Sequence, residues 1–485
     1  MSQDDGFHFD DDEMEQDALG DGETDSTSVQ ASPYVEEEPM DYEQETERPR
    51  KHKSKARPIA RQEKSRFYPK QPKTVLECGL SQSYMEELIL KHLFQAGELR
   101  GSQLNTRTGL TAGIVEELLT RLRKSQFVEV KGSSGAGVGH SGMIFNITEA
   151  GISFVQHSLD RDRYVGVAPV TYDQYLQGVR QQTIRGNLLT RDDIRPHFKD
   201  LVLRDEVFDS IGPAMNSGKA LFFYGPPGNG KTAICQRMTN CFGGDIYIPH
   251  AVIVDDFIIK VFDETLHHPI EDEGSIGGDR RWVRCRRPMV VVGGELMLED
   301  LDLSYSSEVK YYEAPFQMKA NNGMLLVDDF GRQKVSPKDL LNRWIVPLES
   351  EVDYLAMHTG KKLQVPFDVF VTFSTNLDPE SLVDGAFLRR VRYKLEVSRP
   401  TPKAFARIFQ RECKRRSIEW DSQLFAYLLR NHYQSRNRPL NACEPRDLLD
   451  QVVDLCAYHG SEPFLAEEII DRVVDNYFVH FGKEI

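Results

Sequence analysis

From Leu80 onward the apolar positions fall at helical spacing. Met85, Leu88, Ile89 and Leu93 share one face, and Ile114, Val115, Leu118, Leu119 and Leu122 form a second stripe. The second stripe predicts a helix over 111–125, set off by a turn at Gly109, with a further helix around Gln103. Two short strand-like runs follow at 127–130 and 143–147, joined by 131–142 with five glycines. Three helices followed by a two-stranded wing is the order of a winged helix-turn-helix. Gly135, Gly137 and Gly139 imitate a nucleotide loop, but no strand leads into them with a helix directly behind, so a wing is expected.

Past residue 200 the pattern changes. Apolar runs at 220–224, 246–248, 324–328 and 369–374 alternate with helical stretches, which predicts a parallel sheet covered by helices on both faces. After Pro400 the chain reads as helical to its end, with helices expected over 402–416, 423–431, 445–458 and 466–481. The expected fold class is therefore α/β with a helical lid and an N-terminal winged helix. Its parts are a disordered tail over 1–73, the winged helix-turn-helix over 74–158 and a linker with short helices over 159–200. A nucleotide-binding domain over 201–396 and the lid over 397–485 complete it.

Composition sharpens the ends more than the middle. At 485 residues, two to four folded units are expected. The net charge of −15 gathers at the N-terminus, where residues 1–47 hold 18 acidic and no basic side chains. Residues 51–73 reverse the sign, with nine lysines and arginines against Glu63. The basic block suits a nucleic-acid or protein contact, or a solvated tail. Seven scattered cysteines without a Cys-x-x-Cys pair argue against a disulfide scaffold or zinc ribbon. No apolar run approaches a membrane span and the first 30 residues are acidic, so a cytoplasmic protein is expected.

The chemistry concentrates at 225–232, which read Gly-Pro-Pro-Gly-Asn-Gly-Lys-Thr. This is a complete phosphate-binding P-loop behind a strand-like run. Backbone amides of Gly225, Pro226, Pro227, Gly228, Asn229, Gly230, Lys231, Thr232 and Ala233 are the expected nucleotide cradle, although the two prolines offer no N–H. Lys231 would reach the β- and γ-phosphates of ATP, and the Thr232 hydroxyl would ligate Mg²⁺. The run Met324-Leu-Leu-Val-Asp-Asp329 looks like a buried strand delivering acids to a sheet edge. Asp328 would hold Mg²⁺ through its water shell, and Asp329 would polarise the attacking water. A further buried run ends at Asn376, whose neutral amide could bond both that water and the γ-phosphate. Arg389 and Arg390 stand where a cation could stabilise the transferring phosphoryl group from a neighbouring subunit, and Arg446 opens a lid helix.

Taken in order, the P-loop, the Asp-Asp strand, Asn376, Arg389-Arg390 and Arg446 resemble an AAA+ ATPase over about residues 201–485. The resemblance implies a ring, usually a hexamer, with ATP between subunits. It also implies a first sensor at Asn376, a second at Arg446 and an arginine finger at Arg390, with Arg389 as runner-up. The approach 316–331 is similar to bacterial enhancer-binding ATPases, and 353–366, turning at Thr359-Gly360, looks like the hairpin before the first sensor in those proteins and in magnesium-chelatase and MoxR types. Residues 279–312 occupy the place of a pore-facing insertion there, so Arg280, Arg281, Arg284, Arg286 and Arg287, with Trp282, are candidates to grip a polymer or partner in a ring channel, or else are ordinary surface charge. Departures are the Asp329 carboxylate, one methylene shorter than the usual glutamate, and the absence of a Gly-Ala-Phe-Thr-Gly-Ala loop.

His267 and His268 are adjacent and carry no zinc-ligand spacing, so packed or exposed histidines are expected. Three functions stay open from sequence. A nucleotide-gated scaffold that hardly hydrolyses rests on the shorter Asp329 carboxylate. Of the other two, one is a ring ATPase remodelling a protein client, and the other is a DNA-binding regulator or nucleic-acid motor. The candidate recognition helix places Glu116 and Glu117 early and Arg121, Arg123 and Lys124 late, which favours neither.

Overall fold

The structure is a computed structural model that describes residues 67–133, 139–186, 188–270, 277–382, 385, 389 and 391–478. The acidic tail, most of the basic block, Gly135, Gly137 and Arg390 lie outside the described residues.

The first helix, Gln82–Ala96, starts where the Ser81 side chain accepts a hydrogen bond from the Tyr84 N–H. Helices Gly101–Thr108 and Ala112–Lys124 follow, the latter capped by Thr111. The stripe from Ile114 to Leu122 is at most 1% exposed and builds the local core with Met85, Leu88, Ile89 and Leu93. Strands Val128–Ser133 and Met143–Ile147 pair antiparallel as the wing. A third strand, Glu98–Arg100, joins their far edge. It is three residues long, two of them charged, and too short to register as a periodic signal.

Five parallel strands form the central sheet. Their spatial order is Met289–Val292, Met324–Val327, Phe370–Thr375, Leu221–Tyr224 and Tyr393–Glu396. Alternation sorts their side chains onto two cores. Leu221, Phe223, Met324 and Leu326 face helices Asp205–Ser217 and Lys231–Cys241, while Phe222, Leu325, Val327 and Phe373 face helix Pro337–Ser350. The strand Phe370–Thr375 is buried throughout, as a central parallel strand must be. It lies between the P-loop strand and the acidic strand, so all three deliver their C-terminal ends to one edge.

The run at 246–248 corrects one expectation. It belongs to Asp245–Pro249, which pairs antiparallel with Trp282–Arg286 outside the parallel sheet. An ion pair between Asp245 and Arg284 holds the two strands together. The chain also builds a second sheet, from four strands between those of the central sheet in sequence and one that precedes them: Ser304–Ser306, Tyr311–Glu313, Phe257–Lys260, Ala251–Val254 and Val170–Thr171. Helix Tyr172–Gln181 buries Tyr175 and Val179 against this region. The hairpin expected at 353–366 is present as Val352–Ala356 paired with Lys362–Pro366.

After the last sheet strand come helices Pro402–Arg415, Ser422–Leu428, Glu444–Tyr458 and Glu467–Tyr477 around their own core of Phe405, Phe409, Phe425, Leu449 and Val473. Among the described residues no helix is long and apolar enough to cross a membrane, and all seven cysteines are free thiols.

Candidate nucleotide site

The P-loop begins directly after Tyr224, and its curl depends on glycine at two tight points. Gly225 has φ 128°, and a Cβ there would meet the Val397 carbonyl oxygen at 2.6 Å. Gly228 has φ 74° and a Cβ would meet Cys443 Sγ at 2.6 Å. Helix Lys231–Cys241 starts at the end of the loop without a side-chain cap, leaving its first N–H groups and positive dipole end for an anion. Lys231 is 8% exposed. Its ammonium donates to the Gly225 and Pro226 carbonyls at 2.9 and 3.1 Å and to Asn376 Oδ1. Burial pushes its pKa below the usual lysine value, and the carboxylates of Asp328 and Asp329 oppose that shift.

The acidic strand brings its two carboxylates to the same place. The Thr232 hydroxyl donates to Asp328 Oδ2 at 2.8 Å. A hydroxyl and a carboxylate so close fit a hard divalent cation that keeps most of its water. Asp329 takes a left-handed backbone, φ 48°, and its own N–H donates to Asp328 Oδ1 at 3.0 Å. That bend turns its carboxylate toward Asn376, whose Nδ2 donates to Asp329 Oδ1 at 3.1 Å. Asn376 therefore bridges the P-loop lysine and the second carboxylate, with its oxygen on one and its nitrogen on the other.

These groups line one cavity of about 730 Å³ that also receives Leu201, Val202, Leu203, Ile408, Arg411, Arg415 and Arg446. Arg446 reaches the cavity but is bonded to Asp447, with contacts of 2.9 and 2.8 Å. Arg411 and Arg415 line it too, and neither makes an ion pair within 4.0 Å among the described residues. Sequence reading missed both, because an arginine on an amphipathic helix carries no mark of which cavity it will face. Arg389 does not line the cavity; its Nε donates to the Gly385 carbonyl at 3.2 Å. Arg390, the first choice for a finger, is outside the described residues.

A short family match falls on the lid. Residues 401–476 match a domain of unknown function, DUF8689. No relative is found among curated proteins. Among solved structures, NtrX from Brucella abortus in complex with ADP is similar, at 13% identity over 60% of this chain and 59% of that one, with a TM-score of 0.38. RuvB from Thermotoga maritima, a Holliday junction branch migration motor, is 13% identical over 56% of this chain and 69% of that one, with a TM-score of 0.33. The chain thus spans about three fifths of the NtrX chain it resembles.

The arginine-rich segment expected to grip a polymer is built otherwise. Arg281 is 2% exposed, paired through its Nε and Nη2 with Asp279 and donating from Nη1 to the Cys78 and Pro169 carbonyls. Arg287 donates to the Gly243, Gln182 and Asn322 carbonyls, and burial holds its pKa down to about 10. Trp282 is buried, and residues 289–292 of the supposed insertion are a central-sheet strand. Only Arg280 and Arg286 of that set are exposed. His267 is fully buried, its Nδ1 accepting from the Asp263 N–H and its Nε2 donating to the Lys319 carbonyl. That leaves no nitrogen free for a metal.

Proposed function

We propose that the chain is an AAA+ ATPase that binds ATP with Mg²⁺ and hydrolyses it to ADP and phosphate. The observation that carries this reading is the meeting of Lys231, Thr232, Asp328, Asp329 and Asn376 in one cavity beside a glycine-built phosphate loop. Without nucleotide the Lys231 ammonium satisfies itself on the loop carbonyls; phosphate oxygens replace those acceptors when ATP enters. The loop amides and the start of helix Lys231–Cys241 then bind the remaining phosphate charge. Thr232 and Asp328 would hold the cation, which supplies neutralisation of charge on the β- and γ-phosphates. Asp329 accepts the proton of the attacking water. Asn376 holds Asp329 in place and offers an uncharged donor near the γ-phosphate.

The reading includes a ring of copies, in which Arg390 or Arg389 reaches a neighbour's nucleotide, and a protein client that the ring remodels. Its test is Mg²⁺-dependent phosphate release. Lys231→Ala should lose it, and unchanged release in that variant would end the enzymatic proposal.

A second reading, a DNA-binding regulator or nucleic-acid motor, draws on one further observation. Lys403, Arg407, Arg411 and Lys414 recur along the exposed face of helix Pro402–Arg415, opposite buried Phe405 and Phe409. None of these four makes an ion pair within 4.0 Å among the described residues. Duplex affinity that falls steeply with salt would support it.

A further inference from the structure

The lid does not hang free of the phosphate loop. Ala442 N–H donates to Asn229 Oδ1 at 3.0 Å, and Cys443 N–H donates to the Gly228 carbonyl at 2.8 Å. Cys443 is the N-cap of helix Glu444–Tyr458, which has no side-chain cap, so the loop supplies the acceptor that the helix start lacks. Both sides of the contact are fixed in advance. On the loop, Asn229 is 6% exposed and its Nδ2 donates to the Pro226 and Pro227 carbonyls at 3.3 and 3.2 Å. On the lid, Glu444 is 3% exposed, and its Oε2 accepts from the Asn441 N–H at 2.9 Å and the Tyr433 hydroxyl at 3.0 Å. Its Oε1 accepts from Asn441 Nδ2 at 2.8 Å. The turn at 441–443 is thus shaped by a buried carboxylate and presents two backbone donors to two acceptors on the loop.

We propose that this contact is a clasp that holds the lid on the phosphate loop before any nucleotide arrives, with Asn229 and Glu444 as its positioning residues. The consequence rests on the nucleotide reading. A shift of the loop on binding phosphates is carried through Cys443 to Arg446 three residues on, so lid position reports what the loop holds. The clasp acts on the carbonyl and side-chain side of the loop, leaving the amides free for phosphate.

Amide hydrogen exchange on the full chain tests this, followed over peptides covering 440–447 and 225–232. The nucleotide-free protein should protect the 442 and 443 amides. Asn229→Ala and Glu444→Gln should each speed exchange there by about tenfold, the worth of one buried hydrogen bond. Because both residues act through one contact, the double variant should exchange no faster than the faster single one. Rapid exchange at 442–443 in the free wild type, unchanged exchange there in Asn229→Ala, or additive effects would each overturn the clasp. A slowly hydrolysed ATP analogue with Mg²⁺ should then slow 225–232 and shift 440–447 in the wild type, and shift only 225–232 in Glu444→Gln. An analogue without effect on either peptide in the wild type would remove the nucleotide reading, while the free-state comparison would still decide whether the clasp forms.

Discussion

Asn376 is the residue at which the site's polar groups converge, since its amide meets both the Lys231 ammonium and the Asp329 carboxylate. Asn376→Ala should therefore lower turnover by about 10²-fold with a smaller effect on nucleotide affinity, because it removes an oriented donor and loosens Asp329. Steady-state phosphate release alongside nucleotide titration separates the two effects. Asp329→Asn should bind nucleotide and release phosphate at least about tenfold more slowly. Equal rates in the variant and the parent would mean that Asp329 is not the base. Much of this set was legible in sequence, because a P-loop and an apolar run ending in acids carry their chemistry in fixed spacing. What spacing did not carry was contact between distant segments. Nothing near Asn229 in sequence marks Ala442 as its partner, and nothing on helix Pro402–Arg415 marks Arg411 and Arg415 as cavity residues.

At the scale of elements, legibility followed burial. The strands Met324–Val327 and Phe370–Thr375 are buried throughout and carry dense apolar runs that mark them in sequence, as strands covered on both faces do. The edge strand Tyr393–Glu396 alternates and gives no buried-strand signal; Met289–Val292 sits against an arginine run that masks it. The same arginine run misled the functional reading, because Arg281 serves to join three segments. Arg281→Leu should unfold at lower denaturant, with about 3–5 kcal/mol lost by leaving Asp279 buried and unpaired. His250, between two strands and against the Phe262 ring, has its pKa pushed down to about 4 by burial. The unfolded chain takes up that proton near pH 6.5 and the folded chain only near 4, so stability falls as pH drops through this window. His250→Leu should flatten the pH dependence of unfolding between about 6.5 and 4, on the order of 3 kcal/mol at most.

For the whole molecule, the edge of the parallel sheet, the phosphate loop with its helix and the lid helices line the candidate nucleotide cavity, and a three-helix unit with a wing precedes them in the chain. If nucleic acid is the partner, a Lys403→Glu, Arg407→Glu, Lys414→Glu variant should weaken duplex binding and lower the salt slope by about 3, one per lost contact. An unchanged slope would clear the lid helix of that role. The central claim is that the cavity holds a nucleoside triphosphate through Lys231. The most direct test is calorimetric titration of the full chain with ATP and Mg²⁺, beside Lys231→Ala of equal thermal stability. Saturable binding in the parent that weakens by at least about 10²-fold in the variant is the expected result. No binding in the parent, or equal affinity in both proteins, would contradict it.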